Sequence, residues 1–318
     1  MSQIPSNSVA AIIVTHNRLA MLKGCIEALR SQTRRPDLIL VVDNDSADGT
    51  REWLASQADV RALLQENVGG AGGFYTGMKT AYDEGYDWIW CMDDDGWPAR
   101  DCLERLLESD RPNFLYRAPL VLDRDNHEGL AFVVGLPGSE VRLKTRAEAE
   151  AAAQNGFLDG IACPFNGILM HRDLMKAIGF PLKDMFMWGD EVEYYLRTRK
   201  AGIVLSTYVP AIHFHPRDRM KGTVFQFLGK TMTVIHTNNV FRDYLAARNQ
   251  TYIMRKYWGW WKGVRHLVRY TLFHLITHGA KAGLRTFRAC IEGMFGVLTG
   301  HRRYSISGKR DSTTNQQR

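Results

Sequence analysis

Asp87-Trp-Ile-Trp-Cys-Met-Asp-Asp-Asp-Gly96 joins a run of five apolar residues to three consecutive aspartates and a glycine. The run has the length and composition of a buried strand, and Gly96 lets the chain turn at its end. Asp93, Asp94 and Asp95 repel one another, so a plain fold gains nothing by placing them together. Asp is a hard oxygen ligand of the kind Mg²⁺ and Mn²⁺ prefer, and Mg²⁺ is commonly held by one or two carboxylates plus substrate phosphates. In an open α/β sheet, ligands bind beyond the carboxyl ends of the strands. The stretch therefore reads either as a metal-binding strand end or as a solvated acidic turn.

Two earlier stretches have the same form. Val9-Ala-Ala-Ile-Ile-Val14 is a buried strand followed by the polar turn Thr15-His-Asn-Arg18, and Leu19, Leu22, Ile26 and Leu29 then recur at helical spacing. Leu38-Ile-Leu-Val-Val42 is a second apolar strand, ending in Asp43-Asn-Asp-Ser46, and Asp48-Gly-Thr50 carries capping residues for the next helix. Strands alternating with helices predict βαβ units and a parallel sheet. The turn at Asp43 serves as a helix cap as readily as a ligand when taken alone. Glu66-Asn-Val-Gly-Gly-Ala-Gly-Gly73 is a glycine cluster leading into a helix from Phe74 to about Gly85. Such glycines let backbone N–H groups approach phosphate at a helix N-terminus, or simply form a flexible loop. Their spacing fits neither the dinucleotide nor the P-loop fingerprint.

Further along, a helix is predicted near 99–108, a strand over 113–122, a variable insertion over 123–155 and a strand over 157–163 with a turn at Pro164–Gly167. Phe186-Met-Trp-Gly-Asp-Glu-Val-Glu-Tyr-Tyr-Leu-Arg197 reads as a helix preceded by Gly189. Asp190 and Glu191 at its N-terminus suit the dipole, and a carboxylate there can act as a general base beside a bound hydroxyl. Glu193 and Arg197 are expected to pair on the outer face. Short strands follow at 202–205 and 209–215, with His213 and His215 on one face as metal ligands or packed residues. From Thr237 the pattern is helical, with Tyr244, Arg248 and Tyr252 on one face and Asn249 beside Arg248. Trp258-Gly-Trp-Trp261 opens a basic aromatic region with an apolar stripe of Val264, Leu267, Val268, Leu272, Leu275 and Ile276. Such a helix either lies in a membrane interface or packs on the domain. Residues 305–318 are polar and are expected to be disordered.

Composition sets the class. The chain has 318 residues, 45% hydrophobic and 24% charged, which suits one large globular domain or a domain with an appendage. Its five cysteines, an odd number, form no C-x-x-C pair, which argues against a disulfide framework or a zinc site and for a reducing compartment. No leader pattern opens the chain, and no run approaches the roughly 18 apolar residues of a membrane span. A cytoplasmic protein is expected, free or peripheral on the inner membrane face. The net charge of +7 is uneven: residues 251–318 carry thirteen Lys and Arg against Glu292 and Asp311 alone. A basic tail region on an acidic body implies an anionic surface partner. No recognised nucleic-acid motif accompanies the charge.

Together these motifs resemble a family-2 glycosyltransferase with the GT-A fold, in particular the bacterial galactofuranosyl- and rhamnosyltransferases of envelope polysaccharide synthesis. Val14–Arg18, Val42–Thr50, Asn67–Phe74, Met92–Asp95, Asp190–Arg197 and Tyr244–Tyr252 carry the likeness, in that order. The resemblance implies an α/β nucleotide-sugar-binding fold with a mostly parallel central sheet and a C-terminal helical region. It implies a donor site of Thr15, Arg18, Asp43, Asp45, Gly69, Gly70 and Asp94, with Asp43 on the base. Asp93 and Asp95 fill the D-x-D positions that hold Mn²⁺ or Mg²⁺, with His215 as the third protein ligand. Glu191 matches the catalytic base where the family more often has Asp, which leaves Asp190 as the other candidate. Trp188 would border the acceptor, and Arg248 would contact donor phosphate or the pyrophosphate of a lipid acceptor. The implied partners are a UDP- or dTDP-linked sugar and a glycan or lipid-linked glycan. Residues 1–235 would be catalytic, 236–304 helical and basic, with a single-displacement, inverting reaction. A sugar nucleotidyltransferase and a non-catalytic scaffold are the competing classes; the first usually carries its glycine signature after the first strand, where this chain has Thr15-His-Asn-Arg18.

Overall fold

A computed structural model describes residues 6–109, 111, 113–217, 223–227, 229–237 and 239–305. The tail expected to be disordered lies outside the described residues, apart from Ser305. The chain divides into two compact units, Met1–Lys183 with Tyr194–Asp218, and Asp184–Glu193 with Arg219–Arg318.

The first unit is an eleven-stranded sheet with helices on its faces. Its strands are β1 (Val9–Thr15), β2 (Leu38–Asn44), β3 (Arg61–Gln65), β4 (Trp88–Asp93), β5 (Trp97–Pro98), β6 (Tyr116–Asp123), β7 (Gly129–Gly135), β8 (Arg142–Thr145), β9 (Phe157–Asp159), β10 (Asn166–His171) and β11 (Leu205–His215). The main path runs β3-β2-β1-β4-β10-β6-β11-β5. The first four strands are parallel, β10 runs against β4 and β6, and β11 is parallel to β6. The helices are α1 (Leu19–Arg30), α2 (Thr50–Ala55), α3 (Gly69–Glu84), α4 (Cys102–Glu108), α5 (Arg146–Ala152), α6 (Arg172–Ile178) and α7 (Asp190–Lys200), whose first four residues belong to the second unit.

The continuous apolar runs are explained by helices on both faces. Val9, Ala11 and Ile13 pack into one core with Leu22, Ile26 and Leu29 of α1, whereas Ala10, Ile12 and Val14 pack into the other with Phe74 and Met78 of α3. Strands 2 and 4 alternate in the same way: Trp90 and Met92 point to the α1 side, Ile89 and Cys91 to the α3 side. A strand buried on both sides has no polar face to show, so its sequence loses the period of two.

Several expectations are corrected. The glycine cluster is the first turn of α3, not a loop before it, since the helix opens at Gly69. A Cβ on Gly73 would lie 2.4 Å from Val14 Cγ1, and one on Gly77 would lie 2.4 Å from Ile12 Cγ2. These glycines let α3 settle directly on β1. The strands expected at 202–205 and 209–215 are one strand, β11, whose register against β6 shifts between Tyr208 and Ile212. Pro210 lies in that shift, where a residue without an N–H is tolerated. The stretch read as an insertion forms β7, β8 and α5, the last opened by a capping box between Thr145 and Glu148. All five cysteines are free.

The second unit contains a two-stranded antiparallel ribbon, β12 (Thr223–Phe227) with β13 (Lys230–Val234), and the helices α8 (Val240–Trp258), α9 (Trp260–His278) and α10 (Ala280–Phe295). Phe225, Val234, Leu245, Tyr270, Phe273 and Ala289 share its core. Close helix contact depends on Gly293, where a Cβ would meet the Arg248 carbonyl oxygen at 2.2 Å. The buried face of α9 is Gly263, His266, Tyr270, Phe273 and His274, so much of the expected stripe points outward: Val268, Leu275 and Ile276 are exposed, as are Trp258, Trp260 and Trp261. Among the described residues no helix is long and apolar enough to cross a membrane.

Candidate active site

Strand register brings the polar ends of the first unit together. Thr15 at the end of β1 lies opposite Asp43 of β2, and Val14 lies opposite Asp93 of β4. Three adjacent parallel strands thus present Thr15, Asp43 and Asp93 along one edge. After the turn at Asp94–Gly96, β5 pairs with the end of β11, with Trp97 opposite Phe214. That pairing carries the acidic turn to His215. Ligand atoms of Asp93, Asp95 and His215 all lie within 4.8 Å of one another, a set that can hold a divalent cation.

Asp94 plays a different part. It is buried, accepts from the Thr15 hydroxyl at 2.7 Å, and pairs with Arg18 Nη1 at 3.1 Å. Burial pushes its carboxyl up, and the Arg18 charge and the Thr15 hydroxyl offset only part of that rise. Arg18 also reaches Asp95 Oδ2 at 2.9 Å, while its own side chain stays 50% exposed. It therefore neutralises the acidic turn from the solvent side. At Asp95 the balance reverses. Burial raises its carboxyl, but the hydrogen bond and charge of His215, 3.3 Å away, and of Arg18 hold it below the usual range. In His215 burial acts downward, and the bond and charge of Asp95 outweigh it, so the imidazole keeps its proton above the ordinary histidine range.

His213 is not part of this group. It is wholly buried, and Cβ atoms on Gly96 and Gly167 would come within 2.3 and 2.7 Å of its ring. Burial, then the nearby His215, lowers it to about 3, so the ring is neutral.

Asp43 is fully buried at the end of β2. Its Oδ1 accepts from the Ser46 N–H at 3.0 Å and its Oδ2 pairs with Arg51 Nε at 3.2 Å. Asp45 is exposed, sits in the left-handed region at φ 65° and pairs with Arg51 Nη2 at 2.7 Å. Arg51, which the sequence did not single out, thus joins both acids. Gly69 donates no Cβ to the opening of α3, and a Cβ on Gly70 would meet nothing within 4 Å, so this N-terminus is open above the strand ends.

In the second unit the segment before α7 is held under strain. Phe186 and Trp188 have φ of 69° and 63°, and Gly189 follows at 102°. Non-glycine residues in that region cost about 1–3 kcal/mol each and persist only when their surroundings hold them. Two neighbours on α8 do so. Asn249 Nδ2 donates to the carbonyls of Met185, Met187 and Trp188, each at 2.9 Å. Arg248 is fully buried and donates to the carbonyls of Asp184, Met185 and Leu298 and to Asn249 Oδ1, with His301 Nδ1 at 3.3 Å. Arg248, expected at a phosphate, here directs its donors at backbone carbonyls, two of them in the segment that leads to Trp188. Asn249→Ala is expected to take the side-chain donor from the Met187 and Trp188 carbonyls, while that of Met185 keeps Arg248, and to cost about 2–4 kcal/mol of stability, read from the midpoint of urea unfolding.

Beyond the strain, Glu191 is half-buried and its Oε2 accepts from the Gly189 N–H at 3.1 Å, whereas Asp190 is buried. Glu193, expected on the outer face, is instead wholly buried and accepts from Lys256 Nζ and the Tyr257 hydroxyl, each at 2.8 Å. Helical spacing alone could not reveal this, because the partners lie more than sixty residues away.

Comparison with known proteins supplies the family. Residues 10–113 match the model for glycosyl transferase family 2. The galactofuranosyltransferase GlfT1 of Mycolicibacterium smegmatis is 34% identical over 289 residues, covering 87% of this chain and 93% of that protein. GlfT1 of Mycobacterium tuberculosis is 32% identical over 292 residues, covering 88% and 92%. The crystal structure of GalNAc-T7 with UDP, GalNAc and Mn²⁺ shares the fold at a TM-score of 0.56 and 13% identity; the match takes in 96% of this chain and 58% of that one. With curated relatives matched along nearly their whole length, and the matched family domain spanning the strands that bear Thr15, Asp43 and Asp93, this chain belongs to glycosyl transferase family 2, as a GT-A glycosyltransferase similar to the galactofuranosyltransferases.

Proposed function

We propose that the protein transfers a galactofuranosyl residue from a nucleoside-diphosphate donor to a hydroxyl of a glycan or lipid-linked glycan, with a divalent cation and with inversion at the anomeric carbon. The observation that carries the reading is the convergence of Asp93, Asp95 and His215 at the strand edge that also bears Thr15 and Asp43. Galactofuranose is preferred over rhamnose because the relatives matched along most of their length are named galactofuranosyltransferases.

The residue types fit a hard divalent ion: two carboxylates and one imidazole, three protein ligands that leave further coordination positions to donor phosphate oxygens. Such an ion, Mn²⁺ or Mg²⁺, would neutralise charge developing on the leaving diphosphate. Asp43 and Asp45, with Arg51 between them, would hold the nucleoside. Arg18 would supply a guanidinium to the diphosphate, kept in place by the buried Asp94, and the open N-terminus at Gly69 and Gly70 would add backbone N–H groups. Glu191, oriented by the Gly189 N–H, would take the proton of the acceptor hydroxyl as it attacks, and Trp188 would border the acceptor. A single base acting on the acceptor hydroxyl would give a single displacement. An NMR spectrum of a synthetic product with the donor's anomeric configuration would overturn that.

The test is a donor screen. Purified protein with Mn²⁺ or Mg²⁺ is incubated with UDP- and dTDP-linked sugars and a lipid-linked acceptor, and nucleoside diphosphate release is followed with and without EDTA. EDTA-sensitive release from the galactofuranose donor alone is expected; release only from a rhamnose donor would reassign the sugar, and metal-independent release would end the metal reading.

A pH dependence follows. The His215 proton must leave before its nitrogen can ligate, and Asp95 holds that proton above the usual range. Cation affinity at this site is therefore expected to fall about tenfold per pH unit on acidification below the His215 pKa and to level off above it, measured by Mn²⁺ titration. A flat profile between pH 5 and 8 would remove His215 from the ligand set.

Peripheral attachment to an anionic membrane is proposed for the second unit. Trp261 is 80% exposed, and Trp258, Trp260, Leu284, Phe287 and Phe295 are exposed on helices rich in Lys and Arg. Failure to co-sediment with anionic liposomes at low salt would refute it.

A further inference from the structure

A second cluster of metal-ligating side chains lies wholly within the C-terminal unit. His236, in the segment leading to α8, Asp243 in the first turn of α8, and His274 on α9 offer ligand atoms all within 4.8 Å of one another. They line a cavity of about 150 Å³, together with His278, Arg285 and Thr286. We propose that His236, Asp243 and His274 form a divalent transition-metal site, of a kind that takes Zn²⁺, separate from the acidic site of the first unit.

The donor set differs in kind from Asp93, Asp95 and His215. Two imidazoles and one carboxylate form the ligand set of many zinc sites with an open position, whereas two carboxylates and one imidazole favour a harder ion. Tetrahedral ligand atoms about 2.1 Å from Zn²⁺ stand roughly 3.4 Å apart. Binding therefore needs side-chain movements of an ångström or so, the more distant atoms closing in and the 2.8 Å pair of His236 and Asp243 opening slightly.

The surroundings already orient the ligands. One carboxylate oxygen of Asp243, Oδ1, accepts from the Thr237 N–H at 2.8 Å and the Thr237 hydroxyl at 2.9 Å. This leaves Oδ2 directed at His236 Nδ1, 2.8 Å away. An outer partner that fixes a ligand in this way is a usual feature of metal sites. His274 is only 5% exposed, and its Nε2 is buried with no hydrogen-bond partner among the described residues. A buried polar atom left unpaired is costly, and a metal would recover that cost. The His278 ring, 4.5 Å from that of His236 and 5.5 Å from that of His274, is a further nitrogen source at the rim. Arg285 opposes a bare dication, so an anion or hydroxide is expected as the exchangeable ligand. A metal held here would tie the start of α8 to the far end of α9.

The test uses the untagged full chain carrying Asp93→Asn and Asp95→Asn, which silences the acidic site. After treatment with chelator it is titrated with Co²⁺ alone and then with Zn²⁺. One equivalent of Co²⁺ with the visible absorption of a nitrogen-rich site, displaced by Zn²⁺, is expected, with a Zn²⁺-dependent rise in Tm. His274→Gln and Asp243→Asn, added singly, should each weaken binding at least about 100-fold, more than loss of an outer partner does. Asp243→Asn keeps the acceptor for Thr237, so it separates ligand loss from misfolding, and circular dichroism checks both variants. Absence of binding in the doubly substituted chain, or binding unchanged by both added substitutions, would overturn the proposal.

Discussion

Asp95→Asn is expected to lower transfer by about 10³-fold or more while leaving the fold intact. The carboxylate joins two positive groups, Arg18 and His215, and is one of three residues that can hold the cation. A cation that stabilises the transition state by several kcal/mol is worth that much in rate, at 1.36 kcal/mol per tenfold. The amide keeps the shape of the carboxylate but loses its charge and much of its affinity for a hard ion. Steady-state kinetics across a Mn²⁺ series, with the far-UV spectrum as control, measures this. Full activity at saturating Mn²⁺ would show that Asp95 is dispensable and that the metal reading of the strand end is wrong. Asp94→Asn should act differently, through Arg18 and Thr15, and should raise KM for the donor more than it lowers kcat.

Glu191→Gln is the second large effect. A positioned base contributes about 10²–10⁴-fold, so kcat should fall within that range while donor binding, followed by calorimetry with UDP, stays within about twofold. Asp190→Asn provides the contrast. Asp190 is buried and Glu191 half-buried, which gives the longer side chain the access that an acceptor hydroxyl needs. If Asp190→Asn abolishes turnover and Glu191→Gln leaves it near wild type, the base is Asp190 and Glu191 only orients the turn through Gly189.

The strand ends could be read from the sequence because local chemistry fixes them. An apolar run buried on both faces followed by Asp, Asn or Thr has few other meanings, and the register of β1, β2 and β4 follows from it. What stayed hidden depends on partners distant in sequence. The burial of Glu193 is set by Lys256 and Tyr257, and the role of Arg248 by carbonyls at 184, 185 and 298. No periodicity announces such contacts. One miss was avoidable: Thr145-Arg-Ala-Glu148 is a capping-box signature, and it opens α5 inside the stretch read as an insertion. His213 and His215 looked equivalent by alternation, yet the glycine positions 96 and 167 close around the first and leave the second at the strand end.

The order in which the ribosome releases the chain sets a constraint on this enzyme. The acidic turn is anchored on one side by β4, but β5 on its other side pairs, among the described residues, with no strand except β11, and β6 likewise waits for β11 to cover its second edge. More than a hundred residues separate Asp95 from His215, so the cation site closes late, after a long loop has been ordered. Until β11 emerges, the nascent sheet shows an open strand edge of the kind that seeds aggregation. Chains cut short before residue 215 should therefore accumulate in inclusion bodies even though every residue of the family motif at 10–113 has been made.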